Sequence, residues 1–556
     1  MNKWMALIGL LLANVVHGQI APRLYGIEFK DKHASPYSLS RSEEFLSPRC
    51  LERRLRHGIA TDSLDLPVNP AYLEAVLQYG SAVVKHTSRW FNSAVLFVVD
   101  TTVIDSIEQL PMVRQVRRLP SREPYTNPMD KFSPILNRES EGIWNSTEEV
   151  EQWYGPSYHQ AAMMNGPLLH GMGYTGQGMH IAVLDAGWAR ADMLEVFESV
   201  RREERLLGTR DFVFDLNDPV FHSSIHGTYV WSIMAGMTPG QLVGTAYDAS
   251  YYLLRTENPG SEHIAEEWNW VAGAEFADSA GVDIINSSLG YSLFDWESEN
   301  HSYQDMDGNT TISSRGADIA AAKGILVVNS AGNSGDNPWR HITAPSDADS
   351  VLCIGATWPD STVAWFSSRG PSSDGDVKPN VSAQGVGVVF AAIDSTFATG
   401  NGTSFSAPLV AGLAACLWQA FPAKSNMEIL RAIEQSAHLH VTPNDDVGYG
   451  VPDFWKAYQF LAGLHMDDSP IQASLWPNPS QGQCTIQFQH GDAAHVSYEV
   501  YDAVGRRLYE RSGTYAGAGQ GLLRLDSRTM GWSPGVYYVH LEVGDRHSVL
   551  PWVINQ

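Results

Sequence analysis

The stretch HIAVLDAGW (180–188) carries an unbroken apolar run, Ile181 to Leu184, just ahead of an aspartate and a glycine. A strand with one face in water alternates apolar and polar residues. A short run that is apolar throughout reads as a strand covered on both faces, the habit of parallel sheets. The rhythm continues downstream. ASYYLLRT (249–256), VDIINSSLG (282–290) and ILVVNSAGNSG (325–335) read as strands, with EHIAEEWNWVAGAEFADSAG (262–281) and GADIAAAKG (316–324) between them as helices. This alternation predicts an α/β body with a parallel sheet and helices on both faces. Ligand sites on such sheets lie beyond the carboxyl ends of the strands. Asp185, at the end of the first strand, is therefore a candidate for chemistry.

The flanks have other rhythms. The chain has 556 residues, enough for several domains, and at 44% hydrophobic it can bury real cores. From 19 to about 140 it is mixed and charged. SRWFNSAVLFVVD (88–100) reads as a strand. TTVIDSIEQLPMVRQVRRL (101–119) reads as a helix, with Ile104, Ile107 and Leu110 on one face, and then a strand. This is a small α+β unit, followed by a polar, proline-containing linker over 121–154. From about 468 the chain turns to short alternating strands broken by Gly, Pro and Asp, a small all-β module.

At the start, MNKWMALIGLLLANVVHGQIAP places Lys3 ahead of an apolar core from Trp4 to Val16, with small residues Val16 and Gly18 before Gln19. That order predicts an export signal over 1–18. No later segment approaches the roughly 18 continuous apolar residues of a membrane span. The formal charge of −25 argues against a nucleic-acid partner. The four cysteines, Cys50, Cys353, Cys416 and Cys484, show no zinc spacing; Cys353 and Cys416 lie in apolar runs and read as buried small hydrophobes.

Acyl transfer by serine needs a nucleophile, an imidazole base, a carboxylate to orient it and donors for the oxyanion. Asp185 can be that carboxylate, or an aspartate that merely opens a turn. His226, in SSIHGTYVWSIMAG, can be the base at the start of a buried helix, or a structural histidine. Ser404, in GNGTSFSAPLVAGLAACLW (400–418), can be a nucleophile or a helix cap; Pro408 fits a first helical turn. Asn333, in VVNSAGNSG, can donate its amide to a carbonyl oxygen, or be a turn residue.

Together LDAG, HGT, SAGN and GTSFSAP, in that order, resemble the subtilisin-like serine proteases over about 155–460. The chain order Asp, His, Ser is that of subtilisin. The resemblance implies a three-layer subtilisin-like fold in which Asp185 orients His226, His226 takes the proton of Ser404, and Asn333 holds the oxyanion. It implies that SSLG, with Ser288, Leu289 and Gly290, pairs with the substrate backbone, and that NSAG, with Ser330, Ala331 and Gly332, forms the opposite wall. Trp188, Tyr229, Trp231 and Phe405 stand where the family more often has other residues, which leaves the pocket's shape open. The unit over 19–140 resembles a subtilase propeptide, the body runs over 150–462, and the module over 470–556 resembles the C-terminal sorting domain of type IX secretion. A carbohydrate-binding or spacer β-sandwich is the other reading of that module.

The expectation is a secreted or surface-held serine endopeptidase, made as an autoinhibited precursor. Its partners would be protein or peptide substrates, its own propeptide and the secretion machinery. The chemistry requires no cofactor. Structural calcium is the one metal the resemblance raises, and DMDGNT offers Asp305, Asp307 and Asn309 at alternate positions, but the full loop pattern with its later Glu is absent and a solvated surface turn is the better reading. A catalytically silent binding protein on the same fold and an acyl-enzyme peptide ligase are the rival readings.

Overall fold

The structure, a computed structural model, describes residues 23–80, 82–120, 131, 148–214, 220–463, 473–490, 494–502, 507–515, 519–544 and 546–555. The export signal expected at 1–18 and most of the expected linker lie outside them.

The N-terminal unit is an antiparallel sheet of β1 (Arg23–Phe29), β2 (Ala82–Ser88), β3 (Ser93–Val98) and β4 (Val113–Leu119), in the order β2-β3-β1-β4. Ile27, Phe29, Leu96, Val98 and Ile107 make its core. The stretch 88–100 is two elements rather than one strand. Ser88 ends β2, Ser93 opens β3, and Asn92 turns the chain between them at φ +46°, a conformation asparagine tolerates.

In the central body β5 (His180–Asp185), β6 (Leu206–Asp211), β7 (Ser250–Arg255), β8 (Ile284–Ser287), β9 (Leu326–Ser330), β10 (Leu352–Thr357) and β11 (Val381–Gln384) form one parallel sheet, ordered β11-β10-β9-β8-β5-β7-β6. The chain lays β6 and β7 on one side of β5 and β8 to β11 on the other. The winding therefore changes direction at β5, the strand that Asp185 ends.

Side-chain alternation along β5 assigns the two layers. Ile181 and Val183 pack in one core with α2 (His226–Ala235) and α5 (Thr403–Ala420). Ala182 and Leu184 pack in the other with α3 (Ala265–Ala280) and α4 (Ile312–Ala322). Helix α5 is buried from Thr403 to Trp418, as a helix apolar on every side must be. The expected linker ends sooner than Tyr154: residues Glu148–Tyr154 are helical, and Tyr154 is buried against Ala161 and Val243. All four cysteines are buried and free.

The N-terminal unit docks on α3 through charge. Helix α1 (Pro48–Arg56) supplies Arg53 and Arg54, and the β2–β3 turn supplies Arg89. All three guanidiniums meet the fully buried Asp278, at 2.6, 2.7 and 2.5 Å. Burial alone would raise the Asp278 carboxyl; the three arginines, Arg89 foremost, outweigh it and hold the group below its usual range. Beside them, Glu275 accepts the backbone N–H groups of Arg89 (2.8 Å) and Trp90 (3.1 Å).

The C-terminal module is two antiparallel sheets on one core. β12 (Ala473–Trp476), β13 (Gln483–His490) and β16 (Gly519–Asp526) form the first. β14 (Ala494–Asp502), β15 (Arg507–Tyr515), β17 (Gly535–Val543) and β18 (Arg546–Ile554) form the second. Ile486, Phe488, Val500, Val539 and Trp552 fill the space between. Among the described residues no helix is long and apolar enough to cross a membrane.

Candidate active site

Asp185 closes β5 and is fully buried. The N–H of Ala186 donates to its Oδ1 at 2.7 Å. His226 opens α2, and its Nδ1 lies 2.9 and 3.0 Å from the two oxygens of Asp185. A carboxylate only accepts, so Nδ1 carries the proton and Nε2 is left as the basic nitrogen. Two glycines permit the approach. A Cβ on Gly187 would stand 1.7 Å from Ser223 Oγ, and one on Gly227 would stand 2.4 Å from Gly187 O. The aspartate loop and the start of α2 thus pass backbone against backbone.

Ser404 is the second residue of α5 and 7% exposed. The N-cap is Gly402, so Ser404 does not cap the helix. Its Oγ donates to Ser288 O at 3.5 Å. Pro408 lies inside α5 rather than in its first turn. Having no N–H, it cannot satisfy the carbonyl of Ser404 one turn back. Ser288 Oγ does so instead, at 3.1 Å. The proline thus ties the candidate nucleophile to the segment expected to hold substrate. Phe405, next to Ser404, stacks on the His226 ring with centroids 6.3 Å apart.

Asn333 reaches the same point from the loop after β9. Its Oδ1 accepts both the N–H and the hydroxyl of Thr403, each at 2.9 Å. A backbone N–H needs an acceptor, so this fixes the amide with Nδ2 as the remaining donor. Gly402 stands beside that donor: a Cβ there would lie 3.7 Å from Nδ2, an ordinary contact.

The walls follow. Leu289 O accepts from Asn329 Nδ2 at 2.9 Å, and the same amide reaches Ser330 O and Ser346 Oγ. Ser288, Leu289, Ser330 and Ala331 are buried, whereas Gly290 is exposed and Gly332 half-buried. A Cβ on Gly290 would stand 2.1 Å from Thr343 Oγ1, so any larger residue there would have to displace the Thr343 side chain.

The four unusual aromatics are core residues. Trp188, Trp231 and Phe405 are at most 1% exposed, and Tyr229 4%. Trp231 stacks on Phe197 at 4.0 Å, Tyr229 on Phe390 at 4.4 Å, and Phe390 touches Phe405 at 5.0 Å. They pack beneath the site and fill its foundation.

Among the described residues, Asp305, Asp307 and Asn309 are not gathered into a metal cluster. Asp305 takes the N–H and hydroxyl of Ser302, closing a helical turn. Asp307 takes the N–H groups of Asn309 and Thr310 and the hydroxyl of Thr310. These carboxylates are spent on their own turns. Acidic side chains converge elsewhere, at the exposed Asp349, Asp374 and Asp376 and at Glu257, Glu262 and Glu266.

The second group was not singled out from sequence, because two of its members read only as the polar start of a helix. It surrounds Lys131. The ammonium of Lys131 donates to Glu257, to Glu262 (2.7 Å) and to Ser261 O (2.8 Å), with Glu266 at 3.3 Å.

The chain is similar to known proteins over each of its three parts. Residues 176–451 match the subtilase family, peptidase S8. Residues 24–130 match the peptidase S8 propeptide domain of Bacteroidota, and 474–555 the secretion system C-terminal sorting domain. The chain is 29% identical to subtilisin E of Bacillus subtilis over 280 residues, 50% of this chain and 65% of that protein. It is 28% identical to the serine protease AprX of Bacillus subtilis over 317 residues, 52% of this chain and 65% of that one. Among solved structures, proteases from Pseudoalteromonas arctica align over 56% of this chain and 99% of theirs, at 20% identity and a TM-score of 0.44. The chain thus carries a subtilase domain of the peptidase S8 type, with a Bacteroidota S8 propeptide domain ahead of it and a secretion-system sorting domain behind.

Proposed function

We propose that this protein is a serine endopeptidase, made as an autoinhibited precursor and exported to the cell surface or beyond. The observation that carries the reading is the Asp185–His226 pair set beside the α5 terminus that bears Ser404 and is held by Asn333. In this reading His226 Nε2 takes the hydroxyl proton as Ser404 Oγ bonds to the scissile carbonyl carbon. Asn333 Nδ2 donates to the oxyanion. The imidazolium gives its proton to the leaving amine as the C–N bond breaks, and water then releases the acyl group by the same steps. No cofactor enters. The domain boundaries that go with it are a signal over 1–18, a propeptide over 19–140, a peptidase over 150–462 and a sorting module over 470–556.

A serine-directed phosphonate tests the reading. It should form one adduct per processed chain, at Ser404, and none in a His226→Ala chain. A processed wild type that stays unlabelled would point to the silent binding protein. Asn333→Ala should lower kcat by about 100- to 1,000-fold with KM little changed, the signature of a donor used only in the transition state. Loss confined to KM would remove Asn333 from that role.

Propeptide docking should depend on pH. His86 is buried against Asn269 of α3, its Nε2 2.9 Å from the amide oxygen. Burial, with help from Lys85 and Arg210, lowers its pKa from 6.5 to about 4. The docked form therefore resists protonation, whereas a released propeptide regains an ordinary imidazole. Docking is strongest above the ordinary value and should weaken on the order of tenfold per pH unit between the two. Propeptide affinity measured from pH 8 to 4 checks this, and a His86→Gln variant should flatten the profile.

A further inference from the structure

The glutamate pocket around Lys131 is built before any ligand enters it. Glu257 and Glu266 are 1% and 4% exposed, and Glu262 24%. Tyr291 donates its hydroxyl to Glu257 at 2.9 Å. Glu266 is fixed by the N–H groups of Asn258 (2.8 Å) and His263 (3.0 Å). These bonds hold the Glu257 and Glu266 carboxyl groups in place independently of Lys131.

Glu257 adjoins the reaction site through its neighbours in the chain. Thr256, ahead of Glu257, gives its N–H to Asp185 O at 3.1 Å. Tyr291 follows directly on the Ser288–Gly290 wall. Lys131 itself sits in a turn: its backbone N–H donates to Pro259 O at 3.1 Å, and its side chain goes in among the acids. The chain leaves the propeptide sheet nearby, where Arg118 of β4 lies over Trp296, 5.3 Å from the ring.

Resting on the protease reading above, we propose that Glu257, Glu262 and Glu266 form a substrate subsite for a lysine side chain, which Lys131 fills in the precursor as a tethered pseudo-substrate. An ammonium is a compact charge with three donors and no acceptor, matched by the oxygens of three carboxyl groups and the Ser261 carbonyl. Burial, and then the charge of Glu257, pushes Glu266 well above the usual carboxylate range even with Lys131 in place. An empty pocket would leave these acids facing one another, so a cation that enters relieves them and a neutral side chain does not.

The test uses quenched peptides that differ only by lysine or norleucine at successive positions on the amino side of the cut. At one position the processed enzyme should favour lysine by at least about tenfold in kcat/KM. Glu257→Gln with Glu262→Gln should bring that ratio close to one. Equal rates at every position, or a ratio that survives the double substitution, overturn the proposal. Turnover of the norleucine peptides reports separately on Ser404. A second readout needs no activity. In a Lys131→Gly precursor, n-butylammonium should raise Tm where 1-butanol does not, and neither should do so in the wild type. Stabilisation by calcium but not by butylammonium would make the pocket a metal site and overturn the assignment.

Discussion

Ser404→Ala is expected to yield a folded protein that stays at full precursor mass and hydrolyses no peptide. The loss in kcat should be on the order of 10^6-fold, because attack, proton transfer and departure all pass through one oxygen. Folding should survive. The hydroxyl's one hydrogen bond is the long 3.5 Å contact to Ser288 O, and the Ser288 Oγ bond that steadies α5 goes to the backbone carbonyl, which alanine keeps. Intact mass of wild type and variant, with thermal melts of both, checks the prediction. Self-processing in the variant, or residual turnover within a hundredfold of wild type, would remove Ser404 from the chemistry. A wild type that stays unprocessed would favour the silent binding protein. Product masses longer than the substrate would favour the ligase.

Asp278→Asn should loosen the propeptide by about 100- to 1,000-fold. Three guanidiniums, those of Arg53, Arg54 and Arg89, are buried on this one carboxylate. Removing the anion leaves Arg53 and Arg89 without their carboxylate and Arg54 with Asp65 alone, at a cost of about 3–5 kcal/mol for a buried pair broken from one side. The contact is absent once the propeptide leaves, and α3 then presents Asp278 to water. The processed enzyme should therefore hydrolyse peptides within about twofold of wild type, while the precursor melts earlier and its released propeptide inhibits more weakly. An unchanged inhibition constant would show that the cluster does not hold the unit in place. The substitution separates docking from catalysis, which Ser404→Ala cannot do.

Much of this was legible in the chain. The strand at 180–185 was read with its final bounds, because a run apolar on both faces has few other places to go. The start of α4 was missed, since Thr311 caps the helix through its hydroxyl while Ile312 to Arg315 lack a strong apolar period. Strands β6, β10 and β11 were not singled out; β6, at the sheet edge, alternates in burial but its residues LLGTRD show no apolar/polar alternation. Pro408 was placed in a first turn because proline favours it. Tertiary contact allowed it further in, with Ser288 Oγ satisfying the carbonyl that the proline left without a donor.

The sequence by itself determined the layered α/β body, the order of its motifs and the identity of Asp185, His226, Ser404 and Asn333 as candidates. Those are local facts, carried by apolar period and by residues a few positions apart. Only the tertiary structure decided which charges meet. Arg53, Arg54 and Arg89 converge on Asp278 from 225, 224 and 189 residues away, and Lys131 finds Glu266 across 135. Nothing in the spacing of these residues marks them. An ionic contact becomes specific only when packing removes water from it, and which surfaces lose their water is settled by the whole fold.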